Sequence, residues 1–290
     1  MTSVKNQLFP WRKSPLDLQL REVTDTFVES ERQAVTRSHF LRGWLTEDET
    51  RELVARCQED EISLHGVILA AGLQAMSRMC RQESQQLVTL RASIITNLRQ
   101  FCSPPAPKHG VLSAPYEENF TVPDLRSSEE FWSFSHQMTM SHNTAKSSRV
   151  AVRTVRHYSK LVAGAEAAFS SRRVTTEMSV AVHGDLGEKE EEEEEGQNNE
   201  IIVAGNIFRR ERQSSPYESW TGQPLQVKLE DVFPMTAGQN LGSPVTHSAH
   251  IYQGRLNYIL AYYTTYIDTN LALMVRDETI NILRMAVMEQ

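Results

Sequence analysis

The sequence predicts an α+β fold, a mixed and mostly antiparallel sheet with helices packed on one face. Three observations carry this. Two helix signatures stand back to back near residue 46, Thr46-Glu47-Asp48-Glu49 having capping-box spacing and Ser63 opening a small-residue-rich apolar helix. Strand-like segments follow them instead of alternating with them. Near the end, Gln253-Gly254 sits between two such segments as a tight turn, and a helical pattern closes the chain.

Taken in order, residues 1–45 are a lead-in segment, partly extended where Leu16, Leu18 and Leu20 alternate with polar residues. Leu53, Val54 and Cys57 give the first helix its stripe, which ends near Asp60. The second helix runs through Val67, Ile68, Ala71, Ala75, Met76 and Met79. Its Gly66, Ala70, Ala71, Gly72 and Ala75 predict close packing against another element. Leu87 to Phe101 reads as a strand, ended by Pro104, Pro105 and Pro107, and Val111 to Phe120 as another. Ser127 or Ser128 caps a helix through Phe131, Trp132, Phe134 and Met138, these aromatics being core residues. A second helical piece covers about Val150 to Phe169.

Asp185 to Glu200 is acidic and low in complexity, and its adjacent like charges predict a disordered loop. Ile201–Ala204, Val227–Pro234, Val245–Tyr252 and Leu256–Tyr263 read as strands, and a last helix covers about Asn270 to Met288. The folded unit is therefore expected over 46–288.

Formal net charge is −7, of which Glu190 to Glu195 supply six, so the rest is near neutral. Without a basic surface, nucleic acid is not an expected ligand. Cys57, Cys80 and Cys102 are odd in number and outside any CxxC spacing, which argues against a disulfide framework or a cysteine zinc site. The longest apolar run, Val67 to Ala71, is too short to span a membrane. With no apolar leader in Met1 to Lys13, a cytoplasmic protein is expected. His247 and His250 are three apart on a strand and so face opposite sides, which no metal pair does. Ser63 and His65 are two apart on a helix and do not face each other.

Four segments resemble the C-terminal lobe of alcohol acetyltransferases and condensation domains, a group with the chloramphenicol-acetyltransferase-like fold. They are Ile62–Ala71, Leu90–Arg99, Val203–Ile207, and His250–Tyr258 with Tyr262 and Tyr263 behind it. The first is similar to the family's alanine-rich helix opened by a hydroxyl residue. The second is similar to its strand ending in a leucine–arginine pair, the third sits where relatives carry a serine–asparagine–leucine–glycine turn, and the fourth resembles its late hairpin.

The resemblance implies a two-lobed enzyme with an active-site tunnel between the lobes. Such an enzyme transfers an acyl group from CoA or a carrier thioester to a small alcohol or amine, with no bound cofactor. Its general base lies in the N-terminal lobe, the second of two adjacent histidines followed by three residues and Asp-Gly. No two of the nine histidines here are adjacent, and His183-Gly184-Asp185 has the right residue types in the wrong arrangement. No catalytic or metal residue is assigned. The resemblance makes Gly205, Asn206 and His250 candidates for the tunnel wall, and Arg99 and Gly254 structural. It leaves open an enzyme half awaiting an N-terminal lobe, and a non-catalytic binding or scaffold protein. A lone lobe is expected to self-associate or to bind the missing one through its uncovered apolar face.

Overall fold

The computed structural model describes residues 38–80, 87–103, 112–155, 176–185, 243–264 and 266–288. Its elements are β1 (Ser38–Trp44), α1 (Glu47–Glu59), α2 (Leu64–Cys80), β2 (Leu87–Asn97), β3 (Ser113–Pro123), α3 (Ser128–Ser147), β4 (Met178–Asp185), β5 (Val245–Tyr252), β6 (Arg255–Tyr263) and α4 (Thr269–Met288). The strands form one open sheet in the order β1-β6-β5-β4-β2-β3. Pairs β1–β6, β6–β5 and β2–β3 are antiparallel, while β5–β4 and β4–β2 are parallel.

The predicted caps form. Glu49 N donates to Thr46 Oγ1 at 3.2 Å and Thr46 N donates to Glu49 Oε2 at 2.7 Å, which completes the capping box of α1. Gly66 N donates to Ser63 Oγ at 3.1 Å, and Ser127 rather than Ser128 caps α3. Such a cap stabilises its helix by about 1 kcal/mol.

The small residues of α2 do what their spacing predicts. A Cβ on Gly66 would lie 2.1 Å from Thr139 Oγ1 and 2.8 Å from Ser135 O, so α3 is pressed against α2 there. On another side of the same helix, a Cβ on Gly72 would lie 2.8 Å from Met178 Cε and 2.9 Å from His247 Nδ1. Two close approaches let α2 sink between α3 and the sheet, and nearly its whole surface is buried.

Alternation along the strands defines the two faces of the sheet. Val88, Leu90, Ala92 and Ile94 of β2 are buried, and register aligns Ala92 and Ile94 with Met178 and Val180 of β4. Val180 in turn aligns with His247 of β5, and His247 with Leu260 of β6. These residues make the face on which α2 packs. Tyr116 and Glu118 of β3 reach α3 on this side, and Gly43 of β1 meets Ile280 of α4. Phe131, Trp132 and Phe134 are core, and Trp132 Nε1 donates to Ala286 O of α4 at 3.1 Å.

The structure departs from the sequence reading in several places. Ser38–Trp44, within the expected lead-in, is a full strand paired to β6 along its length. Met178–Asp185 is an unforeseen central strand, so Asp185 ends a strand and does not open a loop. Strand β2 stops at Asn97, short of Phe101. There Arg99 N donates to Asn97 Oδ1 at 3.0 Å and the chain turns into a short 3₁₀ segment, Arg99–Phe101. The helical piece after α3 is described over 150–155. The strands expected at Leu16–Leu20, 201–204 and 227–234, and the acidic run from 186 on, lie outside the described residues.

Candidate functional site

The face of the sheet opposite the helices carries a different chemistry. Ser93 of β2 aligns with Ser179 of β4, Ser179 with Thr246 of β5, and Ala181 with Ser248. Ser179 Oγ and Thr246 Oγ1 are 2.6 Å apart, and one step earlier the hydroxyls of Thr176 and Ser243 are also bonded. Thr246, Ser248 and His250 succeed one another on this face of β5, and all three are buried. Small hydroxyls thus cross three adjacent strands on a dry surface, where each hydrogen bond counts for more than in water.

At the end of this strip the pairing slips. Val182 faces Ala249 and Asp185 faces Ile251, so His183 and Gly184 together oppose the single residue His250. This is a β-bulge, and Gly184 supplies its positive φ of 75°. The slip sets His183 and His250 at facing positions of neighbouring strands. His183 Nε2 is buried with no hydrogen-bond partner, and burial lowers the pKa of its imidazole, favouring the neutral form. A neutral imidazole beside a row of hydroxyls can accept and donate hydrogen bonds to a chain lying along the strip.

The helix-side histidines are built differently. Tyr258 OH and His247 Nδ1 are 2.7 Å apart inside the core, and burial pushes the His247 pKa down to about 3. Between α2, α3 and β3, the rings of His65 and His142 stack at 4.2 Å, and His142 Nδ1 lies 3.0 Å from Tyr116 OH. Burial lowers the His142 pKa to about 4. It also holds His65 well below the ordinary histidine value, with His142 and Lys146 adding to the effect.

Of the sequence-predicted residues, His250 lies within the hydroxyl strip. Gly205 and Asn206 lie outside the described residues. Gly254 (φ 72°) and Gln253 (φ 49°) form a two-residue turn with both φ values positive, which joins β5 to β6. Arg99 sits in the short 3₁₀ segment, two residues beyond the strand it was expected to end. His247 and His250 do face opposite sides, and among the described residues no group of three potential ligands is placed to hold a metal. Sequence reasoning missed Ser93, Ser179, Thr246 and Ser248. The signal was the alternation of Thr246, Ser248 and His250 with Val245, His247 and Ala249.

Residues 34–174 match the family model for the C-terminus of phthiocerol/phthiodiolone dimycocerosyl transferase. Among solved structures, the trichothecene 15-O-acetyltransferase of Fusarium sporotrichioides is similar at a TM-score of 0.56 and 10% identity, over 94% of this chain and 53% of that one. The chain has the fold of a condensation-type acyltransferase lobe. Polyketide synthase associated protein 5 from Mycobacterium tuberculosis matches at 0.52 and 14% identity, over 91% of this chain and 60% of that one. The epimerization domain from the third module of tyrocidine synthetase B matches at 0.51 and 14%, over 93% and 56%. The chain therefore spans little more than half the length of each of these three solved structures. No curated protein matches it by sequence. No described helix is long and apolar enough to cross a membrane.

Proposed function

We propose that this chain is the acceptor-side, C-terminal half of an acyltransferase that moves an acyl group from CoA or a carrier thioester to an alcohol or amine. The buried hydroxyl strip of Ser93, Ser179, Thr246 and Ser248, ending at His250, carries this reading. It is a polar wall on the face that no described helix covers. An extended, amide-bearing thioester arm needs such hydrogen-bonding partners in a dry channel. The described residues of this half hold neutral, buried imidazoles but no paired-histidine motif. The general base comes from an N-terminal lobe, and the chain alone binds without turning over.

The test is calorimetric titration of the full chain with a non-reactive acyl-CoA thioether, beside a thiol-release assay with acyl-CoA and a panel of alcohols and amines. We expect measurable binding, at least tenfold weaker in His250→Phe, and no CoA release above background. Absence of binding to the folded chain overturns the reading. It would favour the second one, a non-catalytic scaffold on the same fold, which the missing paired-histidine motif already supports.

A further inference from the structure

The two edges of the sheet are closed in different ways. On β3, prolines at 115 and 123 remove backbone donors. The other outermost described strand, β1, has no proline. Leu45 N donates inward to Leu256 O, so the alternating residues Arg42 and Trp44 turn their carbonyls outward, where another strand would bond them. Both carbonyls are occupied by arginines of α4. Arg276 Nη1 donates to Arg42 O at 2.7 Å and Arg284 Nη2 donates to Trp44 O at 3.3 Å.

Each arginine is also held by a carboxylate. Arg276 Nε is 2.6 Å from Asp277 Oδ1, and Arg284 Nε donates to Glu49 Oε1 at 3.1 Å. Glu49 is the same residue that completes the α1 capping box, so its two oxygens tie helix start, strand edge and α4 together. Prolines close an edge permanently, whereas arginines close it by contacts that can be removed.

We infer that Arg276 and Arg284 are edge guards that keep β1 from adding another strand, and that the strand they exclude is β1 of a second copy of this chain. Self-pairing about a two-fold axis is antiparallel and needs only this one edge. Exposed Trp44 beside it supplies apolar surface to cover.

The experiment is sedimentation velocity of wild type, the double variant Arg276→Ala/Arg284→Ala, and the same variant with Phe40→Pro. Phe40 shares the outward set with Arg42 and Trp44, so proline there removes a free donor and leaves the β6 ladder intact. The double variant is expected to self-associate at least tenfold more tightly than wild type, and Phe40→Pro to reverse that gain. A folded double variant with unchanged association overturns the inference, as does association that Phe40→Pro leaves in place. If the double variant loses its circular-dichroism signature, Arg284→Met decides in its place. It keeps the apolar stem and is expected to show a smaller gain, and no gain overturns the inference.

Discussion

His247 and His250 lie three residues apart on one strand, and the sheet assigns them to two different environments. His247 faces the helices, is bonded to Tyr258 and pressed by the bare backbone of Gly72. His250 faces away, among hydroxyls and opposite a bulge. Both are fully buried, so burial does not separate a core histidine from a candidate wall histidine. The separation comes from what shares the face. The helix side is close-packed and apolar around single Tyr–His bonds, and a change there alters stability. The opposite side is lined with small hydroxyls, and under the proposed function a change there is expected to alter binding.

The largest expected effect comes from acid. His65, His142 and His247 are held neutral, so their folded-state pKa values lie below the unfolded value near 6.5. Above pH 6.5 both states are neutral and there is no penalty. As pH falls, the unfolded chain takes protons first, and stability drops until the folded values, about 4 for His142 and about 3 for His247, are reached. At pH 5 the His142 and His247 imidazoles each cost about 2 kcal/mol relative to pH 7, and His65 acts in the same direction. Urea melts at the two pH values should show a loss of several kcal/mol, and His142→Phe should recover about 2 kcal/mol of the pH dependence. A flat profile would break the contrast between the faces.

Next in size is Gly66→Ala. The new methyl meets a backbone carbonyl and cannot be accommodated by rotating a side chain alone, so a loss of about 3 kcal/mol is expected in denaturant midpoints. The smallest test compares the faces directly. Tyr258→Phe leaves His247 Nδ1 buried without its partner and should cost about 1–3 kcal/mol. Ser248→Ala, which removes one hydroxyl from the opposite face, should cost under about 1 kcal/mol while weakening thioether binding. If Ser248→Ala is the more destabilising of the two, the strip is structural.

Much of the helical side was legible in the sequence because its signals are local. Thr46/Glu49 and Ser63 announced their caps, and Gly66 and Gly72 announced close approach. Gln253-Gly254 announced the hairpin. Strands β1 and β4 were not legible. In Ser38–Trp44 the apolar Phe40, Leu41 and Trp44 fall on both faces, as an edge strand between partly exposed faces allows. In Met178–Asp185 both faces are buried, so polar Ser179 and His183 alternate with apolar residues without marking a solvent side, and the acidic run that follows obscured the end. Only the β5 part of the hydroxyl strip, Thr246, Ser248 and His250, has a local alternation to mark it; its continuation through Ser179 and Ser93 exists through register between strands far apart in sequence. Arg99 illustrates the remaining error. Its backbone N–H is diverted by Asn97, a side-chain competition that strand propensity does not contain.

The closure of β1 by α4 joins residues 240 positions apart, Trp44 and Arg284. Synthesis at ~5–20 residues per second leaves about 12–48 seconds between the appearance of the strand and that of its guard. During that interval on the ribosome β1 lacks both β6 and α4, and the nascent chain carries an apolar strand with two open edges. Premature termination before β6 would make that condition permanent, and termination between β6 and α4 would leave the guarded edge alone uncovered.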